Sequence, residues 1–274
     1  MISLAALIER IACGRVLSPG ELTFLRALWR QRQIVPRKTD LFREGMRTTT
    51  LFVLFDGWAA ACKHSEAGRR QIINPAIPGD ILGFSQLFRH EAHYAAVTLS
   101  RASVGMLSRD QIDFAFHHHP RLYFGLMGRA MVQHAIIIER LTDVAQHCAT
   151  TRIAHFAMEL LVRHRAVGLA QQGSFHAPLT QEDIADTLGL SVIHVNRVLQ
   201  SLKRQRLLHW SGRSVVIPDA EKLARIAQFH EPDWQIGDWL DLSWIGSGRA
   251  GHGAEPVAAP RATLSHGAHS FWGT

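Results

Sequence analysis

The sequence is short of residues that staple a chain together or carry it across a membrane. Its 274 residues include three cysteines, Cys13, Cys62 and Cys148. They lie too far apart for a CxxC pair, a zinc knuckle or a disulfide framework, so a reducing compartment is expected. No run approaches the ~18 apolar residues of a membrane span. The apolar start, Ile2 to Ile8, is short and lacks a basic lead, which argues against a secretory signal. GxSxG, P-loop, HExxH and paired-carboxylate motifs are absent, so the commonest hydrolase, NTPase and zinc-protease readings fall away. Cys62-Lys63-His64 holds a thiol and a base but reads as strand packing plus surface, and the expectation is not an enzyme. Acidic residues are in deficit, 23 Asp plus Glu against 30 Lys plus Arg, a formal net charge of +7. That balance favours a polyanionic partner such as nucleic acid. The expected setting is cytoplasmic, with no cofactor and no resident metal.

One stretch organises the rest: Leu179 to Leu208, LTQEDIADTLGLSVIHVNRVLQSLKRQRLL. Thr180 is an N-cap with Asp183 three residues on, and Ile184, Ala185 and Leu188 then share one face. Gly189 sits where the helix must stop, because glycine enters the left-handed region without a Cβ clash. Ser191 caps a second helix, whose buried stripe is Val195, Val198 or Leu199, and Leu202. Two short helices joined at a glycine form a helix-turn-helix, whose second helix enters the DNA major groove. Its outward face presents Val192, Ile193, Asn196, Arg197 and Gln200. Arg197 suits guanine, Asn196 or Gln200 suits adenine, and Val192 and Ile193 can only touch a thymine methyl. Thr180, Gln181, Ser191, His194 and Lys203 are candidates for phosphate or positioning contacts.

The chain before this stretch changes character twice. Leu4, Leu7, Ile8 and Ile11 recur at helical spacing, and Ser18-Pro19-Gly20-Glu21 opens a second helix. Short apolar runs then alternate with turns: 33–35, 40–42, 51–54, 58–63, 71–76, 93–99 and 103–107, with a hairpin turning at Glu66-Ala67-Gly68. They read as an all-β sandwich or barrel. After Pro120 a long helix runs to about Gln146. Tyr123, Met127, Ala130, His134, Ile137, Leu141, Val144 and Cys148 form a heptad seam, with Arg129, Gln133, Glu139 and Arg140 outside it. The seam packs against the same chain or against its own copy in a homodimer, and the length of the helix favours the homodimer.

Thr151 to about His164 is a further helix, and the glycine-bearing stretch to Pro178 reads as a loop. After the helix-turn-helix, Leu207–Trp210 and Ser214–Ile217 form the hairpin of a winged variant. A last helix runs from Ala220 to Phe229. The expected organisation is α+β: helices and sensor at 1–118, dimerisation helix at 119–148, winged helix-turn-helix at 149–230. A C-terminal extension at 231–274 is expected to be disordered from about 246. His117-His118-His119 cannot all face one metal, because helix neighbours point about 100° apart. Cys148 reads as a small buried hydrophobe, with redox sensing as the rival reading.

This ordered set resembles the Crp/Fnr family of bacterial transcription regulators. The resemblance rests on PGDILGFSQLF at Pro78–Phe88, on the spacing of Gly45, Gly57, Gly68 and Gly79, and on the 179–208 stretch. It covers roughly residues 20–230. It implies a jelly-roll-like β-roll sensor, a dimerisation helix, and a homodimer on double-stranded DNA with half-sites about 34 Å apart. It also implies contact with RNA polymerase and a possible small-molecule effector.

The effector candidates carried over are Gly83, Phe84, His93 and Tyr94. Cyclic-nucleotide binders of the family carry Glu where Phe84 stands, and Arg-Ser where His93 and Tyr94 stand. Phe84 offers nothing to a ribose, and a neutral histidine lacks the fork that suits phosphate, so tight cAMP binding is not expected. An iron–sulfur centre of the oxygen-sensing kind needs four thiolates, and the chain has three. The recognition helix keeps Arg197 but carries Val192 and Ile193 where the family often has Arg and Glu. The rival readings are a haem- or redox-responsive sensor of the same fold, and a β-roll interaction module without regulatory DNA binding.

Overall fold

The computed structural model describes residues 2–12, 16–89 and 91–231; the expected C-terminal extension from residue 232, and Cys13, lie outside the described residues. Two helices open the chain, Leu4–Ala12 (α1) and Pro19–Arg30 (α2). Ser18 Oγ accepts from the Glu21 N–H at 3.3 Å and the Glu21 carboxylate accepts from the Ser18 N–H at 2.7 Å. That capping box satisfies two donors the first turn would otherwise leave open.

Eight strands follow: Gln33–Val35 (β1), Asp40–Phe42 (β2), Leu51–Asp56 (β3), Ala59–His64 (β4), Arg70–Ala76 (β5), Ile81–Leu82 (β6), Ala95–Thr98 (β7) and Ala102–Leu107 (β8). They form two antiparallel sheets, ordered β1-β8-β3-β6 and β2-β7-β4-β5. This is the expected β-roll. The β4–β5 hairpin pairs Ala59 with Ala76 and His64 with Arg70. Strand β6 and the 3-10 turn Phe84–Phe88 were not anticipated; both lie inside the Pro78–Phe88 motif.

Three helices lead out of the roll: Arg109–His118 (α3), Pro120–Gln146 (α4) and Ala149–Arg165 (α5). The last part comprises Ala170–Gln171 (β9), Ser174–His176 (β10), Gln181–Leu188 (α6), Val192–Arg204 (α7), His209–Ser211 (β11), Ser214–Val216 (β12) and Ala220–Ala227 (α8). The stretch read as a loop before Pro178 is therefore a small hairpin. Its strands join the wing in one sheet ordered β11-β12-β10-β9, with Phe175 opposite Val215. Strands of two and three residues carry no alternation of their own; β9 pairs with β10, and β10 with β12. One apolar core runs through both halves: Trp58, Ile72 and Leu99 of the roll join Phe156, Leu160, Ile184 and Leu202.

Helix α4 has two working faces. Leu122, Leu126, Val132 and Ile136 are buried within the chain, together with Arg129, Gln133 and Arg140. Those three polar residues lie outside the heptad seam, but they are not solvated. Arg129 and Arg140 serve an ion cluster around Asp80, which is fully buried. Arg163 on α5 donates to Asp80 Oδ2 at 2.5 Å and Arg10 on α1 to Oδ1 at 2.9 Å. Arg129 lies 3.7 Å from Oδ1, and the Ile77 N–H donates to Oδ2 at 2.9 Å. Burial alone would raise the Asp80 pKa, but Arg163, Arg10 and Arg129 outweigh it and hold the carboxyl at about 2. Arg163 also donates to Glu159 at 2.6 Å, and Glu159 accepts both 2.6 and 2.7 Å bonds from Arg140. Arg140 continues to the Ile73 carbonyl at 2.8 Å.

Beside this cluster, His164 is stacked between Trp58 and Phe175, with ring centroids 5.4 and 4.6 Å away. Its Nδ1 lies 2.6 Å from the Leu160 carbonyl, so the neutral ring donates there. Burial lowers its pKa from 6.5 to about 4.

Replacing Arg163 by Met leaves Asp80 and Glu159 buried with fewer donors. The expected cost is about 3–5 kcal/mol in urea unfolding, the range for breaking a buried ion pair from one side. His164 adds a pH dependence of defined sign. Below pH 6.5 the unfolded chain takes a proton that the folded ring refuses down to about 4. Stability is therefore complete above that window and falls as pH drops through it, by roughly 3 kcal/mol at most. Unfolding measured from pH 7 to 4.5 should show this slope in the parent and a flatter one in His164→Gln.

Candidate nucleic-acid interface

The helix-turn-helix is built by local contacts. The Asp183 N–H donates to Thr180 Oγ1 at 3.1 Å and the Thr180 N–H to Asp183 Oδ2 at 2.9 Å, closing a capping box at the start of α6. Gly189 ends that helix at φ 64°, as the turn requires. Ser191 Oγ accepts from the His194 N–H at 3.2 Å and starts α7. Val195, Val198, Leu199 and Leu202 are buried; the sequence had left Val198 and Leu199 as alternatives.

That burial turns the opposite face outward. Val192 and Ile193 are 44% and 74% exposed, and Asn196, Arg197 and Gln200 are exposed beside them. The five expected base-reading residues thus share one open face. Asn196 Nδ2 donates to Gln181 Oε1 at 3.1 Å, which links the start of α6 to the recognition face. The phosphate candidates are more varied. The Thr180 and Ser191 hydroxyls are engaged as caps, so what those positions offer outward is a helix N-terminus and its backbone N–H groups. His194 is exposed near the start of α7, and Lys203 is exposed in its last turn.

Sequence reasoning missed what holds α6 in place. Arg70, on the β4–β5 hairpin of the roll, lies 2.7 Å from both Asp183 and Asp186. The only local signal was two carboxylates at i,i+3 spacing with no basic residue between them.

The four effector candidates have different surroundings, and only Gly83 and Tyr94 are joined by a hydrogen bond. Gly83 sits at φ 104°, and a Cβ there would come 2.7 Å from the Thr50 carbonyl oxygen, so only glycine fits. Its N–H donates to the Tyr94 hydroxyl at 3.0 Å. The Tyr94 ring packs edge-on against Phe42, with centroids 5.3 Å apart, and burial raises the phenol's pKa. Phe84 is half-buried against the cluster containing α1 and α2, whereas His93 is exposed beside Phe88 and Glu91.

The heptad seam of α4 is only partly covered by the described residues, with Tyr123 and Met127 packed against the cluster of α1 and α2. Met127, Ala130, Ile137 and Val144 are half-buried, His134 is exposed, and Leu141 is 68% exposed. Met131 and Ile138 widen the stripe at 64% and 49%. Cys148 at its end is exposed, contrary to the expected burial, and a hydrogen bond from the Thr151 hydroxyl lowers its pKa. His117 Nδ1 is held 2.8 Å from the Asp113 carbonyl. Among the described residues no three His, Cys, Asp or Glu side chains are grouped to hold a metal, and no helix is long and apolar enough to cross a membrane.

A β-roll joined through a long helix to a winged helix-turn-helix is the architecture of a DNA-binding regulator. The comparisons agree. Residues 151–226 match the Crp-like helix-turn-helix domain and residues 32–119 the cyclic nucleotide-binding domain. An anaerobic regulatory protein of Aggregatibacter actinomycetemcomitans is 24% identical over 220 residues, 80% of this chain and 85% of that protein. The transcriptional activator protein anr of Pseudomonas aeruginosa is 26% identical over 187 residues, 68% of this chain and 76% of that protein. The structure of FixK2 from Bradyrhizobium japonicum superposes with a TM-score of 0.64 at 23% identity, covering 72% of this chain and 96% of that one. The chain belongs to the Crp/Fnr family of transcription regulators and carries its helix-turn-helix DNA-binding domain.

Proposed function

We propose that this regulator acts in the cytoplasm as a homodimer on a palindromic site, with RNA polymerase as its further partner. The observation that carries the DNA reading is the open face of α7, where Arg197 and Asn196 stand clear of the core. Arg197 reads a guanine through its fork, Asn196 and Gln200 read adenine edges, and Val192 and Ile193 meet thymine methyls. Gln181, His194, Lys203 and the backbone at Thr180 and Ser191 hold phosphates and set the register. The stripe from Met127 to Val144, half-buried to exposed among the described residues, is the face that pairs with its copy. The division is a sensor at 1–118, a dimer helix at 119–148 and a DNA-binding unit at 149–230.

The effector reading follows from charge. A cyclic phosphate needs a forked cation and a ribose needs an acceptor. At the carried-over positions stand an exposed histidine, a tyrosine bonded to the roll's own backbone, and a phenylalanine. The roll therefore responds to something other than cAMP. Calorimetric titration with cAMP is expected to show no binding in the micromolar range, and a saturable micromolar isotherm would overturn this.

The deciding experiment is selection of bound sequences from a random duplex pool with the full chain. The expected product is a palindrome with half-sites about 34 Å apart, one helical turn. On that site Arg197→Ala should cost roughly 1–3 kcal/mol and relax the preference at one base pair per half-site. An equal loss on every sequence would remove Arg197 from base reading.

A further inference from the structure

The roll and the winged unit leave a cleft between them, which the DNA reading touches only at its edge, at Thr180 and Gln181. Its volume is about 580 Å³, within the range of small-molecule sites. Its floor is apolar: Leu99 from the roll, and Leu179, Ile184 and Leu199 from the helix-turn-helix. Trp210 of the wing also lines it, and the Trp210 indole N–H is buried without a hydrogen-bond partner. An unpaired buried donor is costly and is normally satisfied. The rim is cationic. Arg37 and Arg101 come from the roll and Arg213 from the turn of the wing, and no Asp or Glu is among the described lining residues. Arg37 is held in place by its Nε bond to the Leu99 carbonyl at 2.9 Å.

A second compartment of about 360 Å³ continues from Arg101 and Arg213 toward His164 and His176, with Asp56 at its far side. Burial together with the positive charge of Arg213 lowers the His176 pKa, as expected where a guanidinium faces into a partly enclosed space.

We infer that this cleft binds an amphipathic organic anion, with an acyl or aromatic body on the apolar floor and a carboxylate or phosphate head among Arg37, Arg101 and Arg213. A DNA backbone passing the same arginines would use the rim but not the apolar floor or the buried indole N–H. The occupant touches both halves of the chain. It also covers Thr180 and Gln181 at the start of α6, and so opposes DNA binding. That last consequence, unlike the site, rests on the proposed DNA reading. By reciprocity DNA weakens the ligand by the same factor.

The test uses the full chain and 1-anilinonaphthalene-8-sulfonate, an aromatic anion whose emission rises in apolar sites. The expected result is one saturable site per chain, weakened by salt. Its affinity should fall about tenfold or more in Arg101→Gln/Arg213→Gln, the scale of lost charged hydrogen bonds. Decanoate and naphthyl phosphate are the competing arms. Displacement by one alone identifies the head group, and displacement by both defines a general anion site. Decanol should not compete. Unchanged probe affinity in the double variant would place the probe on the exposed α4 stripe and overturn the proposal, as would displacement by decanol. Non-specific duplex should displace the probe. Independent binding of probe and duplex would overturn the antagonism. Probe binding without DNA reads the site by itself, so a failure of the DNA reading would be seen separately.

Discussion

The fold depends on burying one carboxylate. Asp80 lies in the turn before β6 with no exposed surface, and three guanidiniums from α1, α4 and α5 close around it. A charge there without partners would cost several kcal/mol, so the partners must arrive with it. Arg163 binds Asp80 on one side and Glu159 on the other, and Glu159 passes the constraint to Arg140. The turn of the roll, α4 and α5 are thus held by groups that cannot be left half-paired. Apolar packing could have joined these elements more cheaply. An ion cluster instead sets their register, because a guanidinium bonded at 2.5 Å tolerates little sliding.

The same cluster explains the two faces of α4. Its inner face gives Arg129 and Arg140 to the carboxylates and Leu122, Leu126 and Ile136 to the core. Its outer face keeps the heptad residues, and among the described residues Leu141 and Met131 stay 68% and 64% exposed. A helix that buries arginine on one side and exposes leucine on the other reverses the usual pattern of a surface helix. The proposed pairing of that face with a copy would account for the reversal.

These features differ in how plainly the sequence shows them. The helix-turn-helix was readable almost residue by residue, because its signals are local: Thr180 with Asp183, Gly189, Ser191, and a stripe at helical spacing. The roll strands were readable from alternation and glycine turns. Strands β9 and β10 were not, because two or three residues carry no period and the strand that ties β10 into the wing, β12, lies some forty residues on. Nor was the Asp80 cluster. Arg163 and Asp80 are 83 residues apart, and an arginine in a helix reads as solvated until its partner is known. The resemblance drew attention to the motif around Asp80, but for its glycines and a nucleotide that does not suit Phe84 and His93. The effector candidates separated for a related reason. Family position placed them together, whereas here Tyr94 turns inward to bond Gly83 and His93 turns to solvent.

The magnitudes also limit how a signal could travel. Rotating the winged unit against the roll would break Arg163 from Asp80 and open a core shared by Trp58, Leu99, Phe156 and Ile184, a cost of several kcal/mol. The contact of Arg70 with Asp183 and Asp186 is different. Arg70 and Asp186 are partly exposed, and such pairs contribute on the order of 1 kcal/mol or less. Within one chain, then, the Arg70–Asp186 pair is the weak part of the contact between α6 and the roll hairpin, while Asp183 is buried and Ile184 and Leu188 keep α6 in the shared core. In the proposed dimer the remaining soft contact is the α4 stripe, where Met127, Met131 and Ile138 can repack without unpairing a charge. In that proposed dimer, a bias on the stripe would shift the two copies of α7 relative to each other without opening the Asp80 cluster.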